Sequence, residues 1–144
     1  RSMCTTNCSD NEIDAIWNAI LVAIPIEKLH FLIELRKRYK VYLLSNTNEI
    51  HWDYIVAHFF EQQGIKPEAC FDYIFLSYKM KEKKPNSAIY QKALETGNMR
   101  PEETLFIDDL KENCQAAAAL GIQTIHFTPG RSLPAAVCNF LTTQ

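Results

Sequence analysis

The sequence predicts an α/β domain built on a parallel sheet. Three observations carry that expectation. Helix-like and strand-like segments alternate along the chain. The strand-like segments are continuous apolar runs rather than in–out alternations, and each run ends abruptly in polar residues. Continuous runs belong to strands covered on both faces, as in parallel sheets layered between helices. The size agrees, because 144 residues, 47% hydrophobic and 22% charged, suit one domain or most of one.

The elements follow in order. Ser9-Asp10-Asn11-Glu12 reads as a capping box. Ile13, Ile16, Trp17, Ile20 and Leu21 then recur at helical spacing up to Pro25. This first helix is the one piece outside the α/β alternation. A second helix is expected from Ile26 to Arg38, with cationic residues in its last turn. Val41-Tyr42-Leu43-Leu44 is too short for a helix and reads as a buried strand, ending in Ser45-Asn46-Thr47-Asn48. A helix from Glu49 to Gln63 stops at Gly64. Tyr73–Leu76 is the second strand. A basic loop, Lys79 to Lys84, leads to Pro85, a residue suited to the first helical position. A helix over Ser87–Glu95 closes at Gly97. Thr104–Ile107 is the third strand and runs into Asp108-Asp109. The Ala-rich helix Asn113–Leu120 ends at Gly121, Thr124–Phe127 is the fourth strand, and a last helix covers Leu133–Leu141.

Composition excludes several classes. A net charge of -2 disfavours a nucleic-acid binder. The longest apolar run, Ile16–Ile26, is too short and too interrupted to span a bilayer. The five cysteines form no Cys-x-x-Cys pair and show no zinc-type spacing with the four histidines. They read as free thiols of a reducing cytoplasm, and no secretory leader is expected.

In an open parallel sheet, ligands bind beyond the carboxyl ends of the strands. That edge collects Ser45 and Asn46, then Lys79, Lys81, Lys83 and Lys84, then Asp108 and Asp109. Adjacent carboxylates repel each other, so a cation or a lysine is their natural compensation. Magnesium takes one or two carboxylates plus water and phosphate oxygens, while a lysine and short hydroxyl or amide groups hold the remaining phosphate oxygens. The combination points to Mg²⁺-assisted phosphate chemistry. Each motif also has a plainer reading, as helix caps for Ser45-Asn46-Thr47 and Asp108-Asp109, and as a solvated loop for Lys79, Lys81 and Lys83. Their joint occurrence at strand ends favours the site.

Leu43-Leu44-Ser45-Asn46-Thr47, Lys84-Pro85 and Phe106-Ile107-Asp108-Asp109 together resemble the second, third and fourth motifs of the haloacid dehalogenase superfamily. The wording around them is similar to the small sugar-phosphate phosphatases with a helical cap. The resemblance implies a Rossmann-like three-layer fold, with residues 1–24 a remnant of the cap and 25–144 an incomplete α/β core. It implies that Ser45, Asn46 and Lys84 meet the phosphoryl group, with Ser45 and Lys84 catalytic, and that Asp108 and Asp109 bind Mg²⁺. The acidic pair favours phosphoryl transfer over dehalogenation. The implied reaction is hydrolysis of a small phosphorylated metabolite through an aspartyl-phosphate.

The superfamily's first motif, Asp-x-Asp, carries the nucleophile. No two aspartates here lie two residues apart, so that motif is expected upstream of residue 1. The resemblance makes its strand the central one, between the Val41 and Thr104 strands. Buried backbone groups left unpaired there cost about 1–3 kcal/mol each. The two strands are therefore expected either to pair directly or to receive another segment, from the missing N-terminal piece or from a second copy. Three explanations stay open: a fragment of a full phosphatase, inactive alone; a truncated, non-catalytic structural or interaction protein that kept the scaffold; and an unrelated family with coincidental motifs.

Overall fold

The computed structural model describes residues 24–143. The capping box and the helix expected before Pro25 lie outside the described residues, as does nearly all of the 1–24 cap remnant.

Helix α1 (Ile26–Arg36) leads to strand β1 (Tyr42–Ser45), and α2 (Glu49–Ile55) continues into a wide π turn (Val56–Phe60) and a 3₁₀ turn (Glu61–Gln63). A short helix α3 (Pro67–Cys70) precedes β2 (Tyr73–Leu76), which runs straight into the single turn α4 (Ser77–Met80). Helix α5 (Ser87–Gly97), a 3₁₀ turn (Pro101–Glu103), β3 (Leu105–Asp108), α6 (Lys111–Ala118), β4 (Gln123–His126) and α7 (Leu133–Thr142) complete the order.

All strand pairs are parallel, β1 with β2 (Leu44 opposite Phe75) and β3 with β4 (Phe106 opposite Thr124). Among the described residues these are two separate two-stranded sheets, so β1 and β3 do not pair with each other. Burial reflects that gap. Phe75 and Leu76 of β2 are buried, whereas every residue of β1 and β3 is only half-buried despite the apolar sequences. The fold is α/β, and it is partial: the slot expected between the first and third strands is not closed by direct pairing.

Strand parity separates two cores. Leu43 and Ile74 pack on a cluster of Leu29, Val41, Phe60, Cys70 and Phe71. Leu44 and Phe106 pack on Ile89, Tyr90, Ala117 and Ile122, so one cluster joins strands from both sheets. Arg36 and Asp72 lock the first core. Arg36 donates to the Glu68 and Ala69 carbonyls and to Asp72, whose other carboxylate oxygen accepts from Val41 N at 2.8 Å. Burial alone pulls the Asp72 carboxyl upward, but the Val41 hydrogen bond and the Arg36 and Lys40 charges outweigh it and hold it below the usual carboxylate range. No helix among the described residues is long and apolar enough to cross a membrane.

Two expectations are corrected. Pro85 does not take the first helical position; α5 starts at Ser87, the residue expected, with Asn86 as the cap accepting from Ala88 N. The helix also runs through Gly97, and the left-handed residue that ends it is Asn98 (φ 48°).

Candidate active site

The carboxyl ends of β1 and β3 meet around one ammonium group. Lys84 Nζ donates to the Leu44 carbonyl at 3.0 Å and to Asp108 Oδ2 at 2.6 Å. The Leu44 carbonyl belongs to the peptide that leads into Ser45, so Ser45, Lys84 and Asp108 share one neighbourhood. The pair is sheltered, with the Lys84 and Asp108 side chains 11% and 6% exposed. The ammonium also lies 5.6 Å from the Phe106 ring centroid, close enough for the ring's negative face to add attraction.

Asp108 is the last residue of β3, and its position follows from the strand. Phe127 N donates to its carbonyl, extending the β3–β4 ladder by one bond. Its Oδ1 accepts from Leu110 N at 2.8 Å and from Asn113 Nδ2 at 2.9 Å. Burial pulls the carboxyl up, but the Lys84, Leu110 and Asn113 hydrogen bonds and the Lys84 charge prevail and hold it below its ordinary range. Asp108 is therefore an anion across the neutral range. Asp109 is exposed, and its carbonyl contacts His126 Nε2 at 2.9 Å. Cys114 sits beneath, its thiol near the Asp108 and Ile125 carbonyls, and burial followed by the Asp108 charge pushes that thiol up. The thiol is thereby kept protonated and unreactive.

Asn46 is brought to the site in a specific way. Its Nδ2 donates to the Lys84 carbonyl and its Oδ1 accepts from Lys84 N, both at 2.9 Å. The amide thus imitates a strand neighbour and clamps the Lys84 main chain, with one donor and one acceptor spent on it. The plainer reading of this turn as a helix cap falls to Asn48 instead, which accepts from His51 N at the start of α2. Ser45 ends β1 and is half-buried. Lys79, Lys81 and Lys83 are exposed; Lys81 and Lys83 lie in the expected solvated loop, whereas Lys79 belongs to the helical turn α4.

Three contributors were not singled out in the sequence. Ser77 Oγ accepts from Thr47 N and donates to the Thr47 carbonyl, each at 2.9 Å, tying the loop after β1 to the end of β2. Its signal was a hydroxyl immediately after an apolar run. Asn113 opens the Ala-rich stretch, and a polar residue on the stripe shared with Ala117 is its visible signal. Tyr90, fully buried, donates to the Asn113 carbonyl at 3.0 Å and stands edge-on to Phe106.

The donor set decides which cation it suits. Among the described residues no three His, Cys, Asp or Glu side chains converge. A closed protein cage is therefore ruled out for those residues, while one or two carboxylates beside a phosphate-sized anion fit Mg²⁺. The Lys84 ammonium is a charged donor of the kind that could hold such an anion's oxygens, and Ser45 ends the strand beside it.

The haloacid dehalogenase-like hydrolase family matches residues 25–127. A D-ribitol-5-phosphate phosphatase of Bacteroides thetaiotaomicron is 30% identical over 122 residues, covering 85% of this chain and 59% of that protein. The chain thus spans about three-fifths of that curated relative. A wild-type haloacid dehalogenase family enzyme from Bacteroides thetaiotaomicron, crystallised with magnesium and inorganic phosphate, superposes with a TM-score of 0.87 at 43% identity, covering 94% of this chain and 69% of that one. A haloacid dehalogenase-like hydrolase structure from Porphyromonas gingivalis gives 0.83 at 30% identity, covering 95% and 67%.

Proposed function

The chain belongs to the haloacid dehalogenase-like hydrolase family, and on that footing we propose that it forms the phosphate- and metal-binding part of a Mg²⁺-dependent phosphomonoesterase. The substrate class is a small phosphorylated metabolite, a sugar or polyol phosphate, in line with the ribitol phosphate named for its relative. One observation carries the reading: a sheltered lysine ammonium held between the end of β1 and the Asp108 carboxylate.

In this reading Ser45 and Lys84 hold the phosphoryl oxygens, Asn46 shapes the pocket by fixing Lys84, and Asp108 with Asp109 holds the metal. Bound Mg²⁺ supplies charge neutralisation for the phosphoryl group. Asp-x-Asp is absent from the 144 residues, so the nucleophile comes from polypeptide outside them, on a strand seated between β1 and β3. An aspartate oxygen attacks phosphorus, the bond to the substrate alcohol breaks, and the alcohol leaves with a proton from a general acid. Water then cleaves the acyl-phosphate, giving inorganic phosphate and restoring the carboxylate.

The test compares phosphate release from ribitol 5-phosphate and p-nitrophenyl phosphate, with Mg²⁺, by these 144 residues and by a form extended in frame at the N-terminus. Turnover by the extended form alone, falling roughly 100-fold or more in Asp108→Ala, supports the proposal. Full turnover by the 144 residues alone would mean the nucleophile lies within them. An extended form that lacks Asp-x-Asp and stays inactive would leave a non-catalytic scaffold.

A further inference from the structure

Asp108 presents two carboxylate oxygens, each with two lone-pair directions. The two oxygens are used unequally. Oδ1 accepts from Leu110 N and from Asn113 Nδ2, so both its directions are taken. Among the described residues Oδ2 accepts from Lys84 Nζ alone, which leaves one of its directions open there. We infer that Asn113 is a positioning residue that makes Asp108 a one-oxygen ligand: together with the Leu110 amide it occupies Oδ1 and leaves Oδ2 to meet a divalent cation.

The surroundings of Asn113 support a dedicated role. It is 2% exposed, the one amide side chain in the buried core among the described residues. Turning its amide over would set its oxygen against Asp108 Oδ1, two acceptors face to face, so the carboxylate dictates its orientation. In that orientation Asn113 Oδ1 is left without a partner among the described residues. Tyr90, hydrogen-bonded to the Asn113 carbonyl, holds this turn of α6 against α5.

The consequence concerns which ion is accepted. Magnesium demands a tight octahedron, whereas calcium readily takes both oxygens of one carboxylate. Blocking Oδ1 therefore biases the site toward Mg²⁺. This inference rests on the reading of Asp108 as a metal-binding carboxylate.

The experiment titrates the chain with Mg²⁺ and Ca²⁺ by calorimetry, in wild type, Asn113→Ala, Asn113→Ser and Asp108→Ala. Freeing Oδ1 is expected to weaken Mg²⁺ binding about 10–100-fold and to weaken Ca²⁺ far less, so the Mg²⁺-to-Ca²⁺ affinity ratio falls by roughly tenfold or more. Asn113→Ser covers the case in which Asn113→Ala does not fold, since its shorter side chain can satisfy its hydroxyl on its own helix. An unchanged ratio, with both affinities intact or lowered equally, overturns the inference while the metal reading stands. Failure of Asp108→Ala to alter Mg²⁺ binding removes the metal reading and this inference with it.

Discussion

The Lys84–Asp108 pair allows a quantitative forecast. Lys84→Met removes the ammonium but keeps a similar hydrocarbon length beside Phe106. It leaves Asp108 Oδ2 and the Leu44 carbonyl without their donor, while Oδ1 keeps Leu110 N and Asn113 Nδ2. Removing one member of a buried ion pair costs roughly 3–5 kcal/mol. With half of the carboxylate still satisfied, the loss should sit near the lower end, about 3 kcal/mol, a large share of the roughly 5–15 kcal/mol typical of a domain. Asp108→Asn keeps the shape and should cost a similar amount, because the ammonium then retains only Leu44. The double variant leaves no charge unpaired and should be less destabilised than the two losses added together, by at least about 1.5 kcal/mol. Urea unfolding without metal measures all four forms. Losses that add to within about 0.5 kcal/mol would show that the two groups do not interact, and would refute the reasoning. The pH dependence carries a sign. Asp108 lies below its unfolded value, so its contribution is complete above the unfolded carboxylate range and is lost as pH falls through the lower folded value. The stability gap between wild type and Asp108→Asn should be level through neutral pH and close in acid.

Other outcomes follow from the same contacts. Asp72→Ala should cost about 2–3 kcal/mol in urea unfolding, since it strands Val41 N and removes one of the three acceptors of Arg36, and the loss should shrink at acid pH because the native carboxyl is held below its unfolded value. Asn46→Ala removes both hydrogen bonds to the Lys84 main chain and should cost about 1–2 kcal/mol while weakening inorganic phosphate binding, as measured by calorimetry. Tyr90→Phe deletes the bond to the Asn113 carbonyl and should cost about 1 kcal/mol. In wild type the Tyr90 phenol, pushed up to about 12 by burial and by the Asp108 charge, should be missing from an ultraviolet titration that ends at pH 11.

The strands and the site's charged residues were legible because each depends on local sequence. Four apolar residues bounded by a polar break are too few for a helix and read as a strand; Asp108 stands at such a break, and Lys84 stands out by its place before Pro85. What was hidden depends on distant partners. Nothing local in the 49–63 segment marks the change from α-helix to a π turn at Val56, where Phe60 is taken into the core. Pro85 suits a first helical position by type, but the Asn86 side-chain bond to Ala88 N sets the start of α5 one residue beyond Asn86. An amide is equally fit to touch phosphate or main chain, so the clamp of Asn46 on Lys84, 38 residues away, was invisible. The unequal use of the Asp108 oxygens likewise emerges only once Asn113 is placed.

The half-covered flanks of β1 and β3 also shape how the polypeptide behaves in the test tube. Interior strands normally carry no defence of their own, neither lysines nor prolines aimed outward, because neighbours shield them. Tyr42-Leu43-Leu44 and Leu105-Phe106-Ile107 have none of these safeguards. Concentrated samples of these residues alone should accordingly gather into soluble clusters or precipitate. A short synthetic strand with matching apolar residues should disperse them by capping the adhesive rims.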